Sequence, residues 1–193
     1  MKRITVYCGS NEGNDPVYKA QAHLLGKILA QRNIELVYGG ARVGLMGAIA
    51  EGTLEEGGRA TGVLPRFLRD KEIAHERLTE LELVDTMAER KARIEEMADG
   101  IIALPGGYGT MDELFEALTN AQLQLHQKPI GLLNTAGFYD GLVQLLETMT
   151  ARGLLKEVNR NMLLVSDNID ELLDQMFSYT PATVNKWIEE ETN

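Results

Sequence analysis

The sequence predicts an α/β fold: a single domain built on a Rossmann-like, doubly wound parallel sheet. Apolar strand-like runs alternate with helix-like runs along the 193-residue chain. The strand-like runs are continuously apolar, which is typical of parallel strands that are covered on both faces. Glycine-rich loops follow several of them, at the carboxyl ends where such sheets bind ligands. The length suits one domain, predicted over residues 1–180, with a tail over 181–193.

Apolar runs give the strands of the first half, and capping residues give its helices. Asp15 followed by Pro16 pairs an N-cap with a proline at the first helical position, which predicts a helix to about residue 31. Gly57 and Gly58 are a stop for the second helix. The polar, mixed stretch 65–80 predicts a long loop with some helix. We predict strands over residues 3–8, 34–40, 59–65 and 81–85, and the second helix over 43–58.

The second half continues the alternation. Thr86 is a candidate N-cap for an amphipathic helix in which Met87, Ile94 and Met97 lie on one stripe and Arg90 shares that face. A further helix follows a glycine loop that begins at residue 105. We predict strands over residues 101–105, 128–134 and 161–166, and helices over 86–100, 113–125, 138–153 and 168–179.

Composition excludes several classes of function. The net charge of −10 argues against nucleic acid as a partner, although it does not exclude a small anion. The single cysteine, Cys8, rules out an internal disulfide and a cysteine-rich zinc site, and we expect it in the core. No run approaches the ~18 apolar residues of a membrane span, and no signal peptide is recognisable. We therefore expect a cytoplasmic protein that does not bind membranes.

The stretch "PGGYGTMDE", residues 105–113, is the strongest local signal. A glycine-rich turn from strand to helix exposes backbone N–H groups, and the helix N-terminus adds partial positive charge, so a phosphate fits there. Thr110 can add a hydroxyl. The spacing matches neither G-x-G-x-x-G nor the P-loop, so NAD(P) and ATP are not indicated. A tight connection without a ligand stays the alternative.

Three other features have two interpretations each. Asp112 and Glu113 complement the helix dipole, but a carboxylate beside a phosphate can also activate water or stabilise a cationic transition state. In "YGGARVGLMG", residues 38–47, the glycines indicate close backbone approach by either a ligand or a packed helix. In "MAERK", residues 87–91, Arg90 and Lys91 would be solvated helix charges if they stood alone, and a role in binding a ligand becomes plausible beside the other two elements.

Together these stretches resemble the LOG ("lonely guy") family, with support from "CGS" near the start and from "QLHQKPIGLLN". The resemblance implies a Rossmann-like homodimer that hydrolyses the N-glycosidic bond of N6-modified adenosine 5′-monophosphates, AMP or both. The products are the free base and ribose 5-phosphate, and residues 1–180 would be the catalytic domain. No metal or organic cofactor is implied. Family members are sometimes labelled lysine decarboxylases, but no pyridoxal-phosphate site is recognisable in this sequence.

The resemblance also implies roles for individual residues. Arg90 and Glu113 would be the catalytic pair, with Lys91 beside the phosphate. Glu72 would contact substrate by alignment. The phosphate would be held by Gly106, Gly107, Tyr108, Gly109 and Thr110. The other expected substrate-binding positions are Gly9, Ser10, Gly39, Gly40, Gly44, Met46, Met87 and Pro105.

Two other functions stay open at this point. A nucleotide-binding sensor or carrier without turnover would use the same phosphate loop, but it would not need Arg90 and Glu113 together. A dinucleotide-dependent oxidoreductase is less favoured because its glycine fingerprint is absent. The preferred base and the group that protonates the departing base are not indicated by the sequence.

Overall fold

The computed structural model describes residues 1–69 and 74–181 of the chain. In this part of the chain, seven parallel strands form one sheet in the order β4-β3-β2-β1-β5-β6-β7. The strands are β1 (Arg3–Tyr7), β2 (Glu35–Tyr38), β3 (Ala60–Pro65), β4 (Glu80–Val84), β5 (Gly100–Ala103), β6 (Ile130–Leu133) and β7 (Leu163–Ser166). The predicted doubly wound fold is confirmed.

The helices follow the strands in chain order, and all but one were expected from the sequence. They are α1 (Pro16–Gln31), α2 (Gly44–Glu55), α3 (Met87–Met97), α4 (Tyr108–Gln122), α5 (Asp140–Ala151), α6 (Glu157–Arg160) and α7 (Ile169–Ser178). The unexpected helix, α6, is a single turn, which is too short to give a periodic apolar pattern.

Helices cover both faces of the sheet. The side chains of Ile4 and Val6 pack on one face with residues of α1, α2 and α7. The side chain of Tyr7 packs on the opposite face with residues of α3, α4 and α5. Cys8 is buried on the first face, as predicted. Because both faces are buried, the continuous apolar character of the strands is explained.

The predicted caps are confirmed. The Asp15 side chain accepts a hydrogen bond from the Val17 N–H at the start of α1. The Thr86 hydroxyl accepts one from the Glu89 N–H at the start of α3. Each bond satisfies an amide at a helix end that has no partner within the helix.

The strand order places two loops side by side at the centre of the sheet. The chain leaves β1 toward β2 on one side, while β5 continues to β6 on the other, so the order reverses between β1 and β5. The loops that follow these two strands meet there, and the Gly9 N–H donates to the Pro105 carbonyl at 3.1 Å. Such a reversal at the carboxyl edge is where open α/β sheets form their ligand crevice.

Candidate active site

A cavity of about 520 Å³ opens at this reversal point. Its walls come from the loops after β1, β2 and β5 and from the first turns of α3 and α4. Most of the residues predicted to form the site lie in its lining: Gly9, Ser10, Gly39, Met46, Met87, Arg90, Lys91, Pro105, Gly106, Gly107, Tyr108, Gly109, Thr110 and Glu113. The structure thus brings together motifs that are up to about a hundred residues apart in sequence.

The glycine loop presents bare backbone to the cavity. Gly107 is the N-cap residue of α4, and no side chain caps this helix end. A Cβ added at Gly107 or Gly109 would meet no atom within 4 Å, and neither residue has a positive φ. Packing within the chain therefore does not require glycine at these two positions. Gly106 differs, because a Cβ there would overlap the side chain of the buried Thr110.

Arg90 is a buried residue of the cavity lining, and its guanidinium forms hydrogen bonds with two backbone carbonyl groups. Its Nε donates to the Val63 carbonyl at 3.1 Å, and its Nη2 donates to the Gly39 carbonyl at 3.2 Å. The residue is only 7% exposed, yet it lines the cavity. A guanidinium carries five N–H donors, so these two bonds fix its plane and leave donors for a ligand.

Glu113 reaches the same cavity from α4. Burial raises the pKa of its carboxyl to about 7, and the charge of Asp112 acts in the same direction. The Arg90 and Lys91 charges oppose that effect without cancelling it. Glu113 and Arg90 influence each other through space, without a direct ion pair among the contacts of the described residues. A carboxyl group with this pKa can exchange a proton near neutral pH.

Lys91 is held by two carboxylates. Its Nζ lies 3.0 Å from the Asp112 carboxylate and 2.7 Å from that of Glu116. The hydrogen bonds to Glu116 and Asp112 raise the pKa of the Lys91 ammonium group. The two ion pairs join α3 to α4 close to Arg90 and Glu113, and Lys91 still forms part of the cavity lining.

Two predicted substrate-binding residues, Gly40 and Gly44, lie outside the cavity lining. Gly40 has a φ of +80° and packs near Gly62 and Leu81, so its backbone conformation and its neighbours call for glycine. Gly44 has a φ of +62°, and a Cβ there would overlap the backbone of Ser10. Close packing, one of the two interpretations of this motif, accounts for glycine at positions 40 and 44, whereas Gly39 lines the cavity. Glu72 lies outside the described residues.

Several lining residues were missed from the sequence, among them Asn11, Asn14, Tyr18 and Phe138. The rings of Tyr18 and Phe138 meet edge to face with centroids 5.8 Å apart. The loop after β1 was recognisable, but no motif marks Phe138, which reaches the cavity from the connection between β6 and α5. Only its tertiary position gives it a place in the site.

The described residues offer neither a cluster of metal-ligating side chains nor a membrane-spanning helix. Across residues 1–69 and 74–181, no group of three or more His, Cys, Asp or Glu side chains is placed to hold a metal ion. Among the helices of these residues, none has the length and apolar character to cross a membrane.

Comparisons with known proteins agree with the site. A family model described as "Possible lysine decarboxylase" matches residues 46–176. The chain is 47% identical to the rice protein LOGL1, named as a probable cytokinin riboside 5′-monophosphate phosphoribohydrolase, over 92% of this chain and 80% of the relative. It is 42% identical to LOG7 of Arabidopsis thaliana, named as an enzyme of that kind, over 94% of this chain and 83% of the relative. The chain belongs to the LOG family.

A solved structure of another protein shares the fold of this chain. A molybdenum cofactor binding protein from Rippkaea orientalis superposes with a TM-score of 0.69 at 21% identity, covering 92% of this chain and 97% of that one. At this identity the likeness concerns the fold alone. The LOG motifs quoted from the sequence supply most of the cavity lining described above.

Proposed function

We propose that this protein hydrolyses the N-glycosidic bond of N6-modified adenosine 5′-monophosphates (cytokinin riboside monophosphates), of AMP, or of both. One observation carries the proposal: Arg90 and Glu113 face a single cavity beside a glycine loop whose open positions, Gly107 and Gly109, are not required by packing. The printed names of the LOG relatives support the same reaction.

The 5′-phosphate would bind at the N-terminus of α4. Uncapped amides and the helix dipole favour an anion there, and glycine lets the phosphate oxygens approach the backbone. Gly106 to Thr110 would form this subsite, with Gly9, Ser10 and Pro105 in the adjoining wall. Met46 and Met87 would contact the remaining part of the nucleotide. Glu72, Gly39, Gly40 and Gly44 stay predicted substrate-binding residues.

Glu113 would carry the chemistry at the anomeric carbon. As the C1′–N9 bond breaks, the ribose becomes oxocarbenium-like, and an ionised carboxylate stabilises that charge. Water then attacks C1′, and Glu113 accepts its proton. The N9 electron pair leaves with the base, which takes up a proton, and ribose 5-phosphate remains. A pKa of about 7 lets Glu113 serve as a base at neutral pH without binding a proton too tightly.

Arg90 would orient the substrate and balance charge. Its guanidinium does not release a proton in proteins, so it is unsuited to protonating the departing base. Its two backbone bonds hold it rigid, and its free N–H groups can bind ribose or phosphate oxygens. Its positive charge also favours the ionised form of Glu113.

This proposal does not involve decarboxylation of lysine. A Schiff base needs a neutral amine as nucleophile. Among the described residues, the lysine of the cavity lining is Lys91, and its pairs with Asp112 and Glu116 keep it protonated. The hydrolase reaction as proposed uses no metal or organic cofactor.

We further propose that the protein acts as a cytoplasmic homodimer. Exposed apolar side chains on α3 and α4 would be covered in a dimer: Met87, Tyr108 and Phe115, with Leu123 just beyond α4. Tyr108 is 97% exposed although it lies beside the cavity, so a second subunit could cover it and narrow the opening.

A product assay tests the reaction. Purified protein is incubated with AMP and, separately, with N6-isopentenyl-AMP, and free base and ribose 5-phosphate are separated by chromatography. Base release that disappears in Glu113→Gln supports the proposal, and the two rates give the preferred base. Glu171→Gln, a helical glutamate in α7 away from the cavity, is the control and should keep full activity. Binding of nucleotide without base release would favour a sensor or carrier.

A further inference from the structure

His75 is a buried residue in the connection between β3 and β4, five residues before β4 begins. It is 5% exposed, and among the described residues its backbone and ring take part in three hydrogen bonds. Its backbone N–H donates to the Gly40 carbonyl at 3.0 Å. Its ring Nε2 lies 3.0 Å from the Glu51 carboxylate of α2, and its Nδ1 accepts from the Arg77 N–H at 3.2 Å. No motif drew attention to this histidine, and the proposed reaction does not use it.

The hydrogen bonds assign the ring proton. Nδ1 accepts a backbone N–H and therefore carries no proton itself. The proton lies on Nε2, which donates it to Glu51. The same carboxylate accepts from the Arg77 guanidinium. His75 and Arg77 thus clamp the connection between β3 and β4 onto α2 through one acceptor. An antiparallel bridge between Ala41 and Ala74 continues the clamp.

The hydrogen bonds of His75 lead to the backbone that binds Arg90. The backbone N–H of His75 donates to the Gly40 carbonyl, and Arg90 donates to the carbonyl of the preceding residue, Gly39. A Cβ at Gly39 would overlap the Arg90 guanidinium, so the two groups are in tight contact. Any shift of the Gly39–Gly40 backbone would therefore move the guanidinium or break its bond.

We propose that His75 is a positioning residue for Arg90: its ring, fixed on Glu51, holds the Gly39–Gly40 backbone in the place where Arg90 binds it. The inference rests on the proposed function for its kinetic readout, but its geometry is independent of it. His75 does not line the cavity, so it acts through Gly40 and Gly39 without touching substrate.

Two substitutions of His75 distinguish the hydrogen bond of Nε2 from that of Nδ1. In His75→Asn the shorter side chain can still accept from the Arg77 N–H, as asparagine does in turns, but it loses Glu51. In His75→Gln the amide N–H₂ can reach Glu51 in place of Nε2. We expect His75→Asn to lower kcat/KM at least about tenfold, the usual scale for a lost buried hydrogen bond, and His75→Gln to recover most of that loss.

The pH profile distinguishes positioning from general destabilisation. Arg90 favours the ionised form of Glu113, so a displaced Arg90 should move the acid limb of kcat/KM upward by roughly half a pH unit or more in His75→Asn. Loss of folded protein alone would reduce the amplitude and leave the midpoint unchanged. His23→Asn is the matched control, because His23 makes a similar 2.9 Å contact to Glu55 on the outer surface of α1 and α2.

A second variant tests the same inference in case His75→Asn does not fold. Glu51→Ala removes the anchor on α2 and leaves the His75 backbone intact, and the same upward shift is expected. The inference is overturned if folded His75→Asn or Glu51→Ala keeps the wild-type midpoint and kcat/KM. If wild-type protein releases no base, the proposed function has failed, and AMP affinity by calorimetry becomes the test. Weaker AMP binding in His75→Asn than in His23→Asn would then support His75, and equal binding would overturn it.

Discussion

Gly39 and Arg90 occupy space that no side chain at position 39 could share. The Gly39 carbonyl accepts a hydrogen bond from Arg90 Nη2 at 3.2 Å, and an added Cβ would overlap that guanidinium. The glycine at the end of β2 is therefore needed for the placement of a buried cation, in addition to the turn that the chain makes there.

Gly39→Ala is expected to displace Arg90 and to lower kcat/KM roughly a hundredfold or more, since a charge at the reacting centre would be misplaced. Steady-state kinetics with AMP or N6-isopentenyl-AMP measures this. Gly141→Ala is the control: position 141 lies in α5 with open space around a Cβ, so the change should keep activity. Equal activity of Gly39→Ala and wild type would contradict the account of Arg90.

Gly109→Ala is expected to separate stability from binding. Position 109 lies in α4 with open space at the Cβ, so alanine should stabilise the helix by up to about 1 kcal/mol. The new methyl group would obstruct the phosphate, and KM for the monophosphate should rise roughly tenfold or more. Thermal melting and kinetics check the two effects. A higher melting temperature with unchanged KM would place the phosphate elsewhere.

Glu113 should make the fold less stable as pH rises. Its folded pKa of about 7 lies above the ordinary value of 4.5, so the folded state binds the proton more tightly than the unfolded state. Stability contributed by the protonated group is complete below about pH 4.5 and is lost as pH rises to about 7. The pKa difference corresponds to a loss of about 3 kcal/mol in the free energy of unfolding. Solvent screening reduces this loss, because the group is only half-buried.

Glu113→Gln removes this titration. The melting temperature of the variant should therefore exceed that of wild type at pH 8, and the gap should narrow toward pH 5. Melting curves from pH 4.5 to 8.5 measure it, with Glu171→Gln as the reference. A gap that widens toward acid pH would mean that Glu113 is stabilised as an anion in the folded protein.

Phe115 tests the proposed dimer. It lies on the exposed face of α4 and is 37% exposed, so Phe115→Asp should convert a dimer to a monomer without unfolding the subunit. Phe177→Asp is the matched control, because Phe177 is 50% exposed on α7, which packs on the other face of the sheet. Light scattering at micromolar concentration decides the matter. A wild-type monomer, or equal effects of both changes, would contradict the interface on α3 and α4.

The sequence predicted most of the fold because each strand is an apolar run and each main helix has a periodic pattern or a cap. The caps Asp15 and Thr86 placed two helix starts to the residue. The glycine-rich motifs predicted where the cavity lies, but they did not show why each position is glycine. Glycine at positions 40 and 44 is explained by packing, whereas a Cβ at position 107 or 109 would face open space. The sequence did not predict the place of Phe138 in the cavity lining or the contacts of His75, because both arise only from tertiary packing. Whether the predicted site residues bind substrate stays a prediction.

The hydrogen bond between Gly9 and Pro105 joins the loops of the two central strands, so the cavity is built entirely on one edge of the sheet. The turns at the opposite edge are under no such constraint. After α5 the chain turns at Gly153 and exposes Leu154 at that far edge. Exposed turns of this kind accept insertions with little effect on a domain. A fluorescent label or an affinity tag inserted there would leave nucleotide access open.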